Sequence, residues 1–256
     1  MQQDRRTTLF ALHFLGGSAR TWEAAAPHLD PSVTLAALDL PGFGDAAEHA
    51  PDAEFDVASM TTHVAGLIRA RAPARWMLAG HSMGAKVAMA LARRVEDGAP
   101  GLAGLAGIIT LAGSPPSPEP MAEERRQRML GWFAGPLERS LAEAEGFIDA
   151  NTAHPLPDPW RALAVSDVMR ANRAAWTAWL ERGSREDGSR RIGLLNTPGL
   201  ILAGGNDGDL GPEAQRSLMA PHFRTSKLAA IAGVAHLLPL EAPGEVAAMI
   251  NRFARG

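Results

Sequence analysis

Arg75-Trp76-Met77-Leu78-Ala79-Gly80-His81-Ser82-Met83-Gly84-Ala85-Lys86-Val87-Ala88-Met89-Ala90-Leu91 decides the fold. Residues 75–79 form a short, nearly continuous apolar run of the kind buried strands show. Residues 85–95 carry Val87, Ala88, Leu91 and Val95 at helical spacing. Between them stands Gly80-His81-Ser82-Met83-Gly84, a G-x-S-x-G pattern in the strand–turn–helix context that gives it meaning. A serine there sits on a sharp, strained turn that lifts its hydroxyl above the sheet. The glycines let the backbone pass close to itself. The following amide, that of Met83, is aimed at a substrate oxygen, and the helix N-terminus adds favourable partial charge. Ser82 is therefore the candidate nucleophile.

Outward from this turn, strand and helix patterns alternate. Residues 9–15, 33–40 and 105–112 read as further buried strands, and 19–29 and 57–72 as helices. The repetition predicts a parallel sheet with helices on both faces. It stops at Gly113. Ser114-Pro115-Pro116-Ser117-Pro118-Glu119-Pro120 is a helix-breaking segment, and helical patterns then run to about residue 191. Strands return at 200–203 and 228–231, and a helix over 244–254 closes the chain. The predicted organisation is an α/β core of residues 1–113 and 192–256 with a helical cap of residues 114–191 inserted after the fourth parallel strand. Both joins read as places where the insertion meets the core without sharing its hydrogen bonds.

The chain has 256 residues, enough for one domain with a full core, and a formal net charge of −3. It offers no basic footprint for nucleic acid. Cysteine is absent, which excludes disulfides, thiolate nucleophiles and cysteine-ligated metals. Tyrosine is absent too, and only two lysines, Lys86 and Lys227, occur among 25 basic residues. No stretch reaches the length of a membrane span, and the polar start shows no signal-peptide pattern, so a cytoplasmic protein with no membrane partner is expected.

Eight histidines compete for the role of base. His28, His49, His63, His154 and His222 lack a matching motif and read as surface or capping residues. His13 and His81 read as supports of their loops. His236 follows the last strand in a Gly-x-x-His turn that places it over Ser82. Asp207 follows the strand at 200–203 in a suitable turn for the acid, and Asp209 is the alternative two residues on.

Several segments together resemble the α/β-hydrolase superfamily over nearly the whole chain: Leu12-His13-Phe14-Leu15-Gly16-Gly17, Asp39-Leu40-Pro41-Gly42-Phe43-Gly44-Asp45, the serine turn, Ile201-Leu202-Ala203-Gly204-Gly205-Asn206-Asp207, and Gly233-Val234-Ala235-His236 with Pro239, Glu241 and Pro243. The resemblance implies a mostly parallel sheet of six to eight strands, a Ser82–His236–Asp207 triad, and an oxyanion hole formed by the amides of Met83 and Leu15. Phe14 departs from the glycine usual after the loop histidine and narrows that loop. The few residues before the first strand shorten or remove the antiparallel strands that usually open the fold. The implied activity is hydrolysis of a small, mostly apolar carboxylic ester through an acyl-enzyme, without cofactor or metal. Thioesterases, amidases, carbon–carbon bond hydrolases, perhydrolases and triad-using lyases share the fold, as do non-catalytic ligand receptors. Serine at the turn argues against haloalkane dehalogenases and epoxide hydrolases, which use aspartate there. Aromatics concentrate in the insertion, and Phe14, Trp132, Trp160, Trp176 and Trp179 are the expected pocket residues. Oligomeric state is not legible.

Overall fold

The computed structural model describes residues 6–48 and 54–256, so His49 lies outside the described residues. Six strands form one all-parallel sheet: β1 (Thr7–Leu12), β2 (Val33–Leu38), β3 (Trp76–His81), β4 (Leu105–Leu111), β5 (Gly199–Gly204) and β6 (Ser226–Ile231). Their order is β2-β1-β3-β4-β5-β6. The chain reverses direction between β1 and β3, so the loops leaving those two strands diverge from one crevice at the carboxyl edge of the sheet, where ligands bind in open α/β folds.

Strand alternation divides the core. Phe10 and Leu12 of β1, with Trp76 and Leu78 of β3, pack towards α1 (Val57–Arg71) and α2 (Met83–Glu96). Leu9, Ala11, Met77 and Ala79 point the other way, with Trp22 and with Val246 and Ile250 of the C-terminal helix α10 (Pro243–Arg255). The expected helices on both faces are present. Asp56 caps α1 by accepting from the Ser59 amide at 2.7 Å, and Ala72 ends it in the left-handed region before Pro73. The helix read over 19–29 is instead two 3₁₀ turns, Ala19–Trp22 and Ala26–His28. Pro27 has no amide to continue a helix, and Ser18 caps the first turn locally.

Between β4 and β5 lie α3 (Glu123–Gly131), α4 (Leu137–Ala150), α5 (Asp158–Arg170), α6 (Arg173–Glu181) and the single turn α7 (Ser189–Ile192). Trp176 is buried at their centre, edge-on to Phe133 and Phe147 and beside Trp132, with its indole N–H donated to the Met129 carbonyl at 3.0 Å. The joins differ from the sequence reading, because they do share hydrogen bonds. Ser114 N–H donates to Ser82 O of the core at 3.0 Å, while Glu119 N–H to Ser184 O and Gly188 N–H to Pro116 O, each at 2.8 Å, pair the two ends of the insertion with each other. Lys86, buried on α2, donates from Nζ to the carbonyls of Ser117, Gly183 and Glu186 at 3.0, 3.1 and 3.0 Å. One ammonium thus ties both ends of the insertion to the helix that starts at Ser82. Burial pushes its pKa down to about 8.

Candidate active site

Ser82 stands between β3 and α2 with φ 50° and ψ −116°, a region a residue with a Cβ enters only at a cost of about 1–3 kcal/mol. The turn is held by Ser82 N–H to Leu111 O at 2.9 Å and Ser114 N–H to Ser82 O at 3.0 Å. Gly80 is required there: a Cβ would lie 2.5 Å from the Ala85 Cα and from the Gly84 carbonyl oxygen. Ser82 occupies the N-cap position, yet its side chain makes no capping bond to α2. Met83 opens the helix, so its amide belongs to the first turn, which has no intrahelical acceptor.

The candidate acid and the candidate base meet. His236 Nδ1 lies 2.7 Å from Asp207 Oδ2. A carboxylate accepts, so Nδ1 carries the proton and Nε2 keeps its lone pair. The other oxygen of Asp207 accepts the amides of Asp209 and Leu210, each at 3.1 Å, which fixes the carboxylate within its own turn. Asp209 points elsewhere, into an ion pair with Arg125 of α3. Of the two candidate acids, only Asp207 contacts the imidazole.

Electrostatics favour a protonated imidazole more than in water. Burial alone would lower the His236 pKa. The Asp207 charge, its hydrogen bond and the charge of Glu119 outweigh that, and the net shift is upward. Burial likewise opposes ionisation of Asp207, but His236 and the two amides hold its pKa below the usual carboxylate range. His81 donates from Nε2 to the His236 carbonyl at 2.7 Å, and burial pushes its pKa down to about 3, so it stays neutral.

Ser82, Asp207 and His236 line one cavity of about 200 Å³. Leu15 and Phe14 enter it from the loop after β1, together with Met129 and Phe147 from the insertion. Of the expected tryptophans only Trp179 reaches it. Trp176 is enclosed by other aromatics, Trp132 faces a shallow groove with Arg128 and Glu143, and Trp160 sits half-buried at the start of α5. The rest of the wall is more polar than expected: Glu119, Arg125, Asn151, Asn206 and Asp209 all contribute. Glu119 Oε2 is buried without a hydrogen-bond partner, and burial raises its pKa. His28, His63, His154 and His222 do not line the cavity.

Several groups position the loops of the site: His13 is expected from the sequence to support its loop and Glu241 stands in the histidine-loop segment, whereas Asn151 carries no sequence signal. The Asn151 carbonyl, at the end of α4, accepts the amides of His236 and Leu237 at 3.0 and 3.2 Å. Glu241 accepts the amides of Ala235, Leu237 and Ala153 and so brackets the histidine loop. His13 donates from Nδ1 to Phe14 O at 2.8 Å and accepts from Leu40 N–H at Nε2 at 3.0 Å. Lys86, one of only two lysines in the chain, is a further signal available in the sequence.

Known proteins are similar to this chain over nearly its whole length. A pimeloyl-[acyl-carrier protein] methyl ester esterase of Neisseria meningitidis serogroup C is 25% identical over 250 residues, which span 97% of this chain and 93% of the relative. A solved esterase from Exiguobacterium antarcticum superposes with a TM-score of 0.83 at 17% identity, over 98% of this chain and 92% of that one. A thermophilic esterase from Thermogutta terrifontis gives 0.75 at 26% identity, over 97% and 89% of the two chains. The profile of the alpha/beta hydrolase family matches residues 9–249, almost the whole sheet and everything inserted into it, and the chain belongs to that family.

Proposed function

We propose that this chain is a serine ester hydrolase with Ser82 as nucleophile, His236 as general base and Asp207 as the acid that orients it. The observation that carries the reading is the 2.7 Å His236–Asp207 contact in the wall of the cavity that also holds Ser82. With Nδ1 donating to Asp207, Nε2 is left to accept the Ser82 proton as Oγ attacks the ester carbonyl. The electron pair displaced onto the carbonyl oxygen is held by the amides of Met83 and Leu15. The imidazolium then protonates the departing alkoxide, which leaves as the alcohol. Water, deprotonated by the same imidazole, attacks the acyl-serine; collapse releases the acid and returns the proton to Ser82. The raised His236 pKa suits the imidazolium formed midway.

The similar esterase from Neisseria acts by its name on a methyl ester of an acyl group, which supports an ester as substrate. Phe14, Met121, Met129, Phe147 and Trp179 suit an apolar acyl or alcohol group, while Glu119, Arg125 and Asn151 suit a polar atom beyond the ester. We further infer that residues 114–191 act as a cap on a core of residues 1–113 and 192–256. A fluorophosphonate probe should label the wild type and spare S82A, and p-nitrophenyl acetate or butyrate should be hydrolysed by the unlabelled wild type but neither by S82A nor by the wild type after labelling. A wild type that neither reacts with the probe nor turns over these esters would return the chain to the non-catalytic receptors of its family.

A further inference from the structure

Four buried contacts converge on the loop that follows β1. Its peptides are fixed on the core side by His13 and by Gly84 N–H to His13 O at 3.2 Å. On the other side the insertion presses on it directly. Gly16, at φ +81°, has no room for a side chain, because a Cβ would lie 2.9 Å from Trp176 Cζ3 and 3.1 Å from Val168 Cγ2. Two residues on, Ser18 Oγ donates to Asp167 Oδ2 at 2.6 Å, and Asp167 belongs to α5. The Ser18 hydroxyl also accepts from Arg20 N–H at 3.1 Å.

Asp167 is fully buried, a position in which a carboxylate is retained only when paired. Besides Ser18, its partners are Arg20, from the turn after the loop, and Arg170 Nε at 3.0 Å. Arg170 reaches on to Asp45, in the loop after β2, at 2.9 Å. One carboxylate therefore joins α5 to the loop after β1 and, through Arg170, to the loop after β2.

We propose that Asp167 is a positioning residue for the oxyanion hole: through Ser18 and the Val168–Trp176 contact on Gly16, the insertion fixes the direction of the Leu15 amide. This rests on the hydrolase reading, in which that amide is a donor to the oxyanion. The Leu15 N–H belongs to the Phe14–Leu15 peptide, whose carbonyl accepts from His13 Nδ1 at 2.8 Å and from Gly17 N–H at 3.0 Å, so slackening the chain at Gly16 and Ser18 loosens the Gly17 bond and lets the amide rotate. In this scheme α5 is part of the catalytic frame and stays in place during turnover.

The test pairs D167N with S18A, which removes only the hydroxyl that links the loop to α5. Losing one oxyanion donor outright costs about 10²–10³ in kcat, so misaligning one should lower kcat by about 10- to 100-fold with KM within about threefold. Affinity for an alkylboronic acid, a mimic of the tetrahedral adduct, should fall in parallel with kcat, and the double variant should be no worse than D167N. The position of the acidic pH limb should not move. Amide hydrogen exchange over residues 14–17, compared with exchange in β3, should speed up in both variants. That last reading needs no substrate, so it separates this proposal from the hydrolase reading: an inactive, unlabelled wild type overturns the latter alone. Variants that lose melting temperature while keeping kcat, boronate affinity and protection over residues 14–17 overturn the proposal, as does a rise in KM at unchanged kcat.

Discussion

The sheet and the helical insertion divide the labour unequally. The loops leaving β1, β3, β5 and β6 carry all the reacting groups of the proposed mechanism, namely Leu15, Ser82, Asp207 and His236. The insertion carries none of them, yet it touches each of the loops: Asp167 on the β1 loop, Arg125 on the acid loop through Asp209, and the Asn151 carbonyl on the histidine loop. Lys86 closes the set by binding both ends of the insertion to the nucleophile helix. The difference teaches that chemistry and restraint can come from separate parts of one chain. A sheet edge aims four loops at one point, and a second layer removes the freedom those loops retain.

The sharpest way to break this comparison is to remove a reacting group. S82A and H236A should each lower kcat for a p-nitrophenyl ester by at least about 10⁴-fold, and the double variant should be scarcely worse, because the two groups act as a unit. A single variant that keeps a tenth of wild-type kcat would remove that residue from the mechanism.

The two aspartates test the boundary between chemistry and restraint. D207N leaves the imidazole without the acceptor that fixes its tautomer and should cost on the order of 10⁴ in kcat. D209N only releases Arg125 and should stay within about tenfold. Equal losses in steady-state assays would mean that the insertion's grip on the acid loop matters as much as the acid.

Inside the insertion the tryptophans should separate. W176A opens a void at the centre of the aromatic cluster and should lose about 3–5 kcal/mol in denaturant titrations. W179A, on the cavity wall, should shift kcat/KM towards longer acyl chains across a p-nitrophenyl ester series. An unchanged chain-length profile in W179A would assign the selectivity to the core loops.

The smallest effect concerns pH. His236 must be neutral to accept the Ser82 proton, so kcat/KM rises as pH climbs through its pKa, which lies above the ordinary 6.5. Glu119 is a negative charge that favours the imidazolium, so E119Q should move this limb down by less than about one unit, with D207N moving it further in its residual activity. An unmoved limb in E119Q would show that Glu119 faces His236 as a neutral acid.

What was legible in the sequence follows the same division. The serine turn, the acid turn and the histidine turn are each written within a few consecutive residues, because each solves a local backbone problem. Strand alternation gave both faces of the sheet for the same reason. The choice between Asp207 and Asp209 stayed open because it depends on where a side chain 29 positions away arrives. Trp132, Trp160 and Trp176 lie away from the cavity that Trp179 lines, because composition shows that an insertion is aromatic, whereas packing alone decides which ring faces inward. Asp167 and Ser18 stand 149 positions apart and match no motif. Residues 19–29 stand between two strands, where the alternation implies a helix, but Pro27 and the local Ser18 cap leave them as two 3₁₀ turns.

The Lys86 ammonium bears on how such a chain is assembled and altered. The carbonyls of Ser117 and Gly183 both touch one nitrogen, so the two crossings between layers stand side by side. A bridge of about two or three residues, at ~3.5 Å each, spans them. The closure cost of a loop grows only slowly with its length, so exchanging the whole stretch between those crossings for a shorter or longer one leaves the sheet's own connectivity nearly unaffected. The pair of crossings is a grafting point, at which one fold can take up new substrate preferences in a single insertion or deletion.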